Sequence, residues 1–212
     1  MSLKKILSKI ERELKERKEI KDELYDSMRK ATRLSKQAIF SIHKGQFDEA
    51  KKLLKKAKSL FAKRNKILPV HRKLAYAGIV GSAFQEYTEA SILLKLIEEN
   101  KVVSPEEIDV PLTSYLLGLA DIFGELRRRA LDSLKTGDVK TAEESLETME
   151  LVFHELMAMD EALHSISELR RKSDIARRII EATRGDVAIE VRRNSLERSI
   201  EKLERAMKME KE

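Results

Sequence analysis

Four carboxylates lie in the two most apolar stretches of this sequence, where ionised side chains are least expected. Glu86 and Glu89 are the only charged residues of the run LAYAGIVGSAFQEYTEASILL, and Asp121 and Glu125 are the only ones of VPLTSYLLGLADIFGEL. Spacings of three and four residues place each pair on one face of a helix. Charge on a buried face is unfavourable unless it is paired, protonated or bound to a metal. We therefore interpret the four side chains as ligands that two helices present to a hard divalent cation.

The chemistry of this set favours Mg²⁺, with Mn²⁺ as a substitute. Both cations take oxygen ligands and keep coordination positions for water and phosphate. A bound cation activates water, and a spare carboxylate can serve as general base, so the reaction predicted is phosphodiester hydrolysis. The alternative is that the carboxylates are solvated at the rim of an oligomer or paired with buried bases. The metal-binding interpretation requires the two helices to be neighbours.

Basic residues flank both acidic motifs and are suited to hold a nucleic-acid backbone. They are Arg127, Arg128 and Arg129 after the second motif, and His71, Arg72 and Lys73 on the helix that carries the first. Solvated helix faces explain the same residues. The formal net charge of +6 is compatible with a polyanionic partner, but many proteins without one share it. A lone Glu-x-x-His, Glu161 and His164, falls short of the two such motifs in a ferritin-like di-iron site.

The composition is that of a nearly all-helical protein. Only 7 Gly and 3 Pro occur, and 38% of the residues are charged. The length of 212 residues suits one domain, 1–212. Cysteine is absent, which excludes disulfides and thiolate metal sites. Without a transmembrane run or a signal-peptide core we expect a cytoplasmic protein, and the abundance of Lys, Arg and Glu favours a thermophile.

Apolar residues recur at helical spacing almost throughout and predict about seven helices. The predicted helices cover roughly 3–43, 47–67, 71–100, 112–136, 138–170, 173–183 and 186–211. Gly45 and Gly137 are suited to end helices, and Asp138 is suited to cap the next one. Gly185 is expected to separate the last two.

Three segments resemble the translin/TRAX family, and its TRAX-like branch in particular. They are FQEYTEA (84–90), YLLGLADIFGELRRRAL (115–131) and RKATRLSKQAIFSIHKG (29–45). The C-terminal RRNSLERSIEKLERAM is a looser match, and the charged stretch before Ile20 departs from the family pattern. The resemblance extends over about residues 20 to 210.

The resemblance implies the family's all-α fold and its assembly into closed octameric shells that hold RNA inside. TRAX-type subunits are the catalytic members of an endoribonuclease that cuts single-stranded RNA with Mg²⁺ and acidic residues. Translin-type subunits bind RNA or single-stranded DNA and lack the full acidic set. Because this chain keeps the set, the resemblance implies a catalytic homo-octamer. The catalytic and metal-binding residues that it implies are Glu86, Glu89, Asp121 and Glu125. The nucleic-acid contacts that we predict are His71, Arg72, Lys73, Arg127, Arg128, Arg29 and Lys36.

Two other functions remain open at this point. One is a non-catalytic shell of the translin type that binds single-stranded RNA or DNA in a salt-sensitive way. The other is a helical scaffold in which the acidic residues pair with arginines across subunit contacts. Scarce aromatic residues, 5% of the chain, argue against a reader of base sequence that relies on stacking.

Overall fold

The computed structural model of this chain describes residues 3–67 and 78–209, and within them every regular element is an α-helix. The predicted all-α class is therefore confirmed. These residues form nine helices: α1 Leu3–His43, α2 Phe47–Ile67, α3 Gly78–Glu99, α4 Pro105–Ile108, α5 Leu112–Leu119, α6 Ile122–Lys135, α7 Val139–Met157, α8 Asp160–Ser165 and α9 Ser167–Met209. None of them is long and apolar enough to cross a membrane.

The chain divides into two compact units, Met1–Leu119 and Ala120–Glu212. The first contains α1 to α5 and the second α6 to α9. The prediction of one domain over 1–212 stays a prediction.

In the first unit, α1 and α2 form a helical hairpin, and α3 packs against both. Gly45 ends α1 in the left-handed conformation, with φ of 71°. There the Gly45 amide donates to the Ile42 carbonyl and the Gln46 amide to that of Ser41, which is the Schellman pattern. The inward face of α1 includes the fully buried Leu24, Met28 and Ala31. This hairpin is the platform on which α3 lies.

Helix α3 is the most deeply buried element of the first unit, and α5 packs closely on it. At Gly118 the helices approach so closely that a Cβ atom would lie 2.6 Å from the Gln85 carbonyl oxygen and 2.7 Å from Thr88 Cβ. Only glycine fits there, because real Cβ atoms do not approach other atoms so closely. The contact fixes α5 against the part of α3 that carries the first acidic motif.

In the second unit, α6, α7 and the first part of α9 pack against one another, and α8 packs on α9. Gly137, with φ of 77°, ends α6, and the Asp138 side chain accepts a hydrogen bond of 3.1 Å from the Thr141 amide at the start of α7. Both predictions for these residues are confirmed. Buried Ala130, Ala142 and Val187 form the common core of the three helices.

Several predicted helix boundaries are wrong. The helix expected over 112–136 is interrupted by a turn at Ala120 and Asp121, and the one expected over 138–170 is divided into α7, α8 and the start of α9. No glycine or proline marks either break, so local sequence does not reveal them. Conversely, Gly185 lies within the continuous α9. An isolated glycine costs a helix only about 1 kcal/mol relative to alanine, and buried Thr183 and Val187 hold the helix on both sides of it.

Candidate functional site

The first acidic pair, Glu86 and Glu89, lies in the middle of α3, the helix that packs against α1, α2 and α5. Glu89 is buried, with 9% of its surface exposed, and the Glu86 side chain is 25% exposed. Lys36 of α1 places its Nζ atom 3.3 Å from Glu86 Oε1. A positive charge therefore accompanies the half-buried Glu86 carboxylate, as its partial burial favours.

Aromatic packing between α2 and α3 fixes the face on which these carboxylates stand. The Phe61 ring of α2 stacks on Phe84 with centroids 4.1 Å apart and meets Tyr87 edge-on at 5.4 Å. Burial raises the pKa of Tyr87, so its phenol stays neutral at physiological pH. Tyr87 thus adds no charge to the pair on either side of it.

A row of basic side chains runs along α1 towards Glu86. Arg29 and Lys36, both predicted nucleic-acid contacts, are exposed and seven residues apart, which places them on one face of the helix. Arg29 Nη1 lies 3.7 Å from Asp26, and both side chains are more than two-thirds exposed. Arg33, between them on the same face, is exposed too. It was missed in the sequence, although its spacing of four from Arg29 and three from Lys36 is a visible signal.

The second acidic pair lies where α6 begins. Asp121 is the residue before α6, and Glu125 is in its first turn. The Asp121 carboxylate is ion-paired with the ammonium of Lys172 from α9. The exposed fractions of these side chains are 26% for Asp121 and 13% for Lys172. Lys172 was not predicted as a site residue, because 51 residues of sequence separate it from its partner.

A pocket of about 270 Å³ adjoins the Asp121–Lys172 ion pair. Its lining is apolar at Ala120, Ala176 and Ile179, and Arg171 contributes a second cation beside Lys172. The pocket has room for several waters, since each takes about 30 Å³ in the liquid. Water or a small polar group can therefore reach the Asp121 carboxylate.

The arginines after Glu125 differ in what they contact. Arg127 is half-buried. Its Nη1 donates to Thr183 Oγ1 at 2.9 Å and its Nη2 is ion-paired with Asp186 Oδ2 at 3.0 Å, which ties α6 to α9. Arg129 donates to Ser145 Oγ at 2.8 Å. Arg128 is 48% exposed, and its closest carboxylates, those of Glu125 and Asp132, are both 3.9 Å away. Of the three, Arg128 is the one whose guanidinium faces solvent.

The remaining predicted nucleic-acid residues, His71, Arg72 and Lys73, lie outside the described residues. His164 of the lone Glu-x-x-His is exposed, and its Nδ1 is 2.9 Å from the Asp160 carbonyl oxygen.

A divalent cation suits these carboxylates in kind, because all four offer hard oxygen ligands. Each unit supplies two of them, Glu86 with Glu89 and Asp121 with Glu125. Within residues 3–67 and 78–209, neither unit taken alone holds a group of three or more His, Asp or Glu side chains that could bind a metal. The metal site therefore stays a prediction.

Comparison with known proteins gives consistent similarities over most of the chain. A model described as the Translin family matches residues 19–207. An uncharacterized protein of Methanocaldococcus jannaschii is 30% identical over 192 residues, which cover 90% of this chain and 85% of that protein. Translin-associated protein X of Mus musculus is 28% identical over 171 residues, covering 62% of this chain and 59% of its own. AfC3PO, solved in complex with duplex RNA, superposes with a TM-score of 0.74 at 33% identity, covering 87% of this chain and 95% of that one.

Proposed function

This chain belongs to the Translin family, and we propose that it is a Mg²⁺-dependent endoribonuclease that cleaves single-stranded RNA inside a homo-octameric shell. The observation that carries the proposal is the state of the two acidic pairs. Both pairs lie largely out of solvent within a family motif, and one member of each pair, Glu86 or Asp121, has a lysine ammonium from another helix beside it. Buried carboxylates need a positive partner, and carboxylate oxygens are the ligands that Mg²⁺ takes, so these side chains are suited to bind the cation.

RNA as the substrate class is supported by the solved relative and by the charge of this chain. AfC3PO was solved with duplex RNA, and it shares the fold of this chain at 33% identity. The exposed Arg29, Lys36 and Arg128 are suited to contact phosphates, since guanidinium and ammonium groups neutralise the backbone without reading the bases. We infer the preference for single-stranded RNA from the resemblance of the acidic motifs to those of TRAX.

The four carboxylates have distinct roles in this proposal. Glu86, Glu89 and Asp121 would hold Mg²⁺, and Glu125 would accept a proton from the attacking water or orient it. The cation, when bound, offsets the charge that develops on the phosphate oxygens during hydrolysis. The burial of Glu89 keeps its carboxylate in one orientation and limits the water that competes for it.

A second candidate is a translin-type protein that binds RNA without cutting it. The observation in its favour is that neither unit alone groups three metal-binding side chains among the described residues. In this case the lysine partners of Glu86 and Asp121 are permanent, and the acidic pairs contribute only to stability.

Cleavage of a labelled single-stranded RNA by the purified chain, with Mg²⁺ and with EDTA, separates the two candidates. We expect Mg²⁺-dependent cutting that falls about 100-fold or more in Glu86→Gln and Asp121→Asn, since each change removes a charged ligand. Binding of the same RNA should be nearly unchanged, because neither residue is expected to contact phosphate directly.

Matched controls are available on the same helices. Glu98→Gln changes an acid of α3 that pairs with Lys51 at 2.5 Å, and Asp132→Asn changes one of α6 that pairs with Lys135 at 2.7 Å. Both controls should cut RNA at the wild-type rate. RNA binding without cutting in the wild-type chain would favour the second candidate, and undiminished cutting in Asp121→Asn would exclude this acidic set as the active site.

A further inference from the structure

We propose that Lys172 and Lys36 are displaceable counter-cations of Asp121 and Glu86, which a divalent cation must exchange to reach these carboxylates. This inference rests on the proposed function and adds two positioning residues to it. The lysines come from different helices and different units, Lys36 from α1 and Lys172 from α9, yet each pairs with one predicted metal ligand.

The burial of Lys172 indicates that its ion pair is not incidental. Its side chain is 13% exposed, whereas the lysines of most ion pairs in the described residues are far more exposed, such as Lys135 at 73%. An ammonium held so far from water needs a negative partner, and Asp121 is that partner. The adjoining pocket is lined in part by apolar residues, including Ala120 and Ala176, whose side chains offer the Lys172 ammonium no other hydrogen-bond acceptor.

An ammonium and a divalent cation compete for the same carboxylate oxygen, because each takes it as a partner. An ammonium on Asp121 offsets the charge that a cation would otherwise neutralise, so cation binding includes the loss of the ion pair. The pocket of about 270 Å³ next to Asp121 offers the released ammonium a place to turn. The charge of Asp121 is thereby offset in the protein without metal, and the affinity of this carboxylate for a divalent cation is lowered.

Lys36 provides an independent case in the first unit. It is 63% exposed, and its Nζ atom is 3.3 Å from Glu86 Oε1. Because the exposed lysine makes a looser contact, its removal is expected to change cation affinity less than the removal of Lys172. Its removal should also leave the fold intact, since the side chain contributes little buried surface.

Binding of Mn²⁺ to the full chain, measured from the electron paramagnetic resonance signal of the free ion, tests this inference without an activity assay. We expect Lys172→Met to lower the dissociation constant roughly three- to ten-fold, the effect of an ion pair that no longer has to be broken. Lys172→Arg retains the charge and should bind as weakly as the wild type. Lys36→Met should tighten binding roughly two-fold.

Lys135→Met is the matched control, because Lys135 also pairs with an α6 carboxylate, that of Asp132, outside the predicted ligand set. Tighter binding in Lys172→Met than in Lys135→Met supports the exchange. Equal or weaker binding in Lys172→Met overturns it, even if the wild type binds Mn²⁺ and cuts RNA. If Lys172→Met does not fold, the Mn²⁺ dissociation constants of Lys36→Met and Lys135→Met are compared instead. Tighter binding in Lys36→Met supports the exchange, and equal or weaker binding overturns it. Absence of Mn²⁺ binding in every chain contradicts the proposed metal site itself, and the inference with it.

Discussion

At the scale of single residues, chemically alike side chains in one motif have different surroundings. Arg127 and Arg128 are adjacent in sequence, yet Arg127 is joined to Thr183 and Asp186 of α9, whereas Arg128 extends from α6 into solvent. A guanidinium occupied by a hydrogen bond and an ion pair is unsuited to phosphate binding. Position in the motif therefore does not decide which arginine can contact RNA.

We predict that Arg127→Met changes mainly stability and that Arg128→Met changes mainly RNA binding, so each variant is the control for the other. Arg127→Met should lower the free energy of unfolding by about 1 kcal/mol, since it leaves Thr183 and Asp186 without this partner. Arg128→Met should leave stability unchanged, weaken RNA binding and reduce the slope of log affinity against log salt by about 0.7, the value for one single-strand phosphate contact.

Urea unfolding and RNA binding at several salt concentrations measure these effects. Loss of RNA affinity in Arg127→Met without loss of stability would show that its contacts with α9 are given up in the complex.

At the scale of helices, two glycines that look alike in sequence have contrasting environments. Gly118 lies against the backbone and side chains of α3, whereas a Cβ at Gly185 would meet nothing within 4 Å. Thr88, which faces Gly118, is fully buried, and its hydroxyl has no hydrogen-bond partner among the described atoms. The close approach of α5 to α3 therefore depends on the absence of a side chain at Gly118, and it leaves the Thr88 hydroxyl without a hydrogen bond among the described atoms.

We predict that Gly118→Ala lowers the free energy of unfolding by about 1 to 3 kcal/mol, because its Cβ must force α5 away from α3. It should also reduce RNA cleavage, since α3 carries Glu86 and Glu89. Gly185→Ala is the control and should raise stability by about 0.5 to 1 kcal/mol, because alanine favours a helix more than glycine does.

Thermal or urea unfolding of both variants provides the comparison. A neutral Gly118→Ala would mean that α5 can move by several tenths of an ångström without consequence.

At the scale of the whole molecule, exposed apolar residues at both ends of the chain favour self-association. Leu196, Ile200, Leu203 and Met207 of α9 are 48 to 62% exposed and follow the spacing of four, three and four residues typical of a coiled-coil seam. Four residues of α1 repeat this spacing, namely Leu3, Leu7, Ile10 and Leu14. Apolar stripes of this kind usually mark contacts between protein chains.

We predict that the chain forms a homo-octamer, with a mass eight times the 24.4 kDa of one chain. Leu203→Gln should shift the population to smaller species, because it places a polar group in the α9 stripe. Lys202→Gln, one residue away but outside the stripe, is the control and should retain the wild-type mass.

Analytical ultracentrifugation or light scattering gives both masses. An equal mass for wild type and Leu203→Gln would exclude the α9 stripe from the contacts between subunits.

How much could be predicted from sequence depends on whether the signal is local. Helical periodicity predicted α1 and α2 with their observed bounds, and the glycines after α1 and α6 ended those helices because a left-handed residue was needed there. The acidic motifs were visible because charge is conspicuous in an apolar run. These features depend on residues within a few positions of one another, so the amino-acid order was sufficient to establish them.

Features that join distant segments emerged only once the chain was folded. The turn at Asp121 has no local breaker, and the pairing of this residue with Lys172 connects positions 51 residues apart. Whether Arg127 faces helix α9 or solvent depends on the packing of α6, which no spacing within its own motif reveals. The candidate acids could be chosen from sequence, whereas their counter-cations could not, because an ion pair between helices depends on tertiary packing.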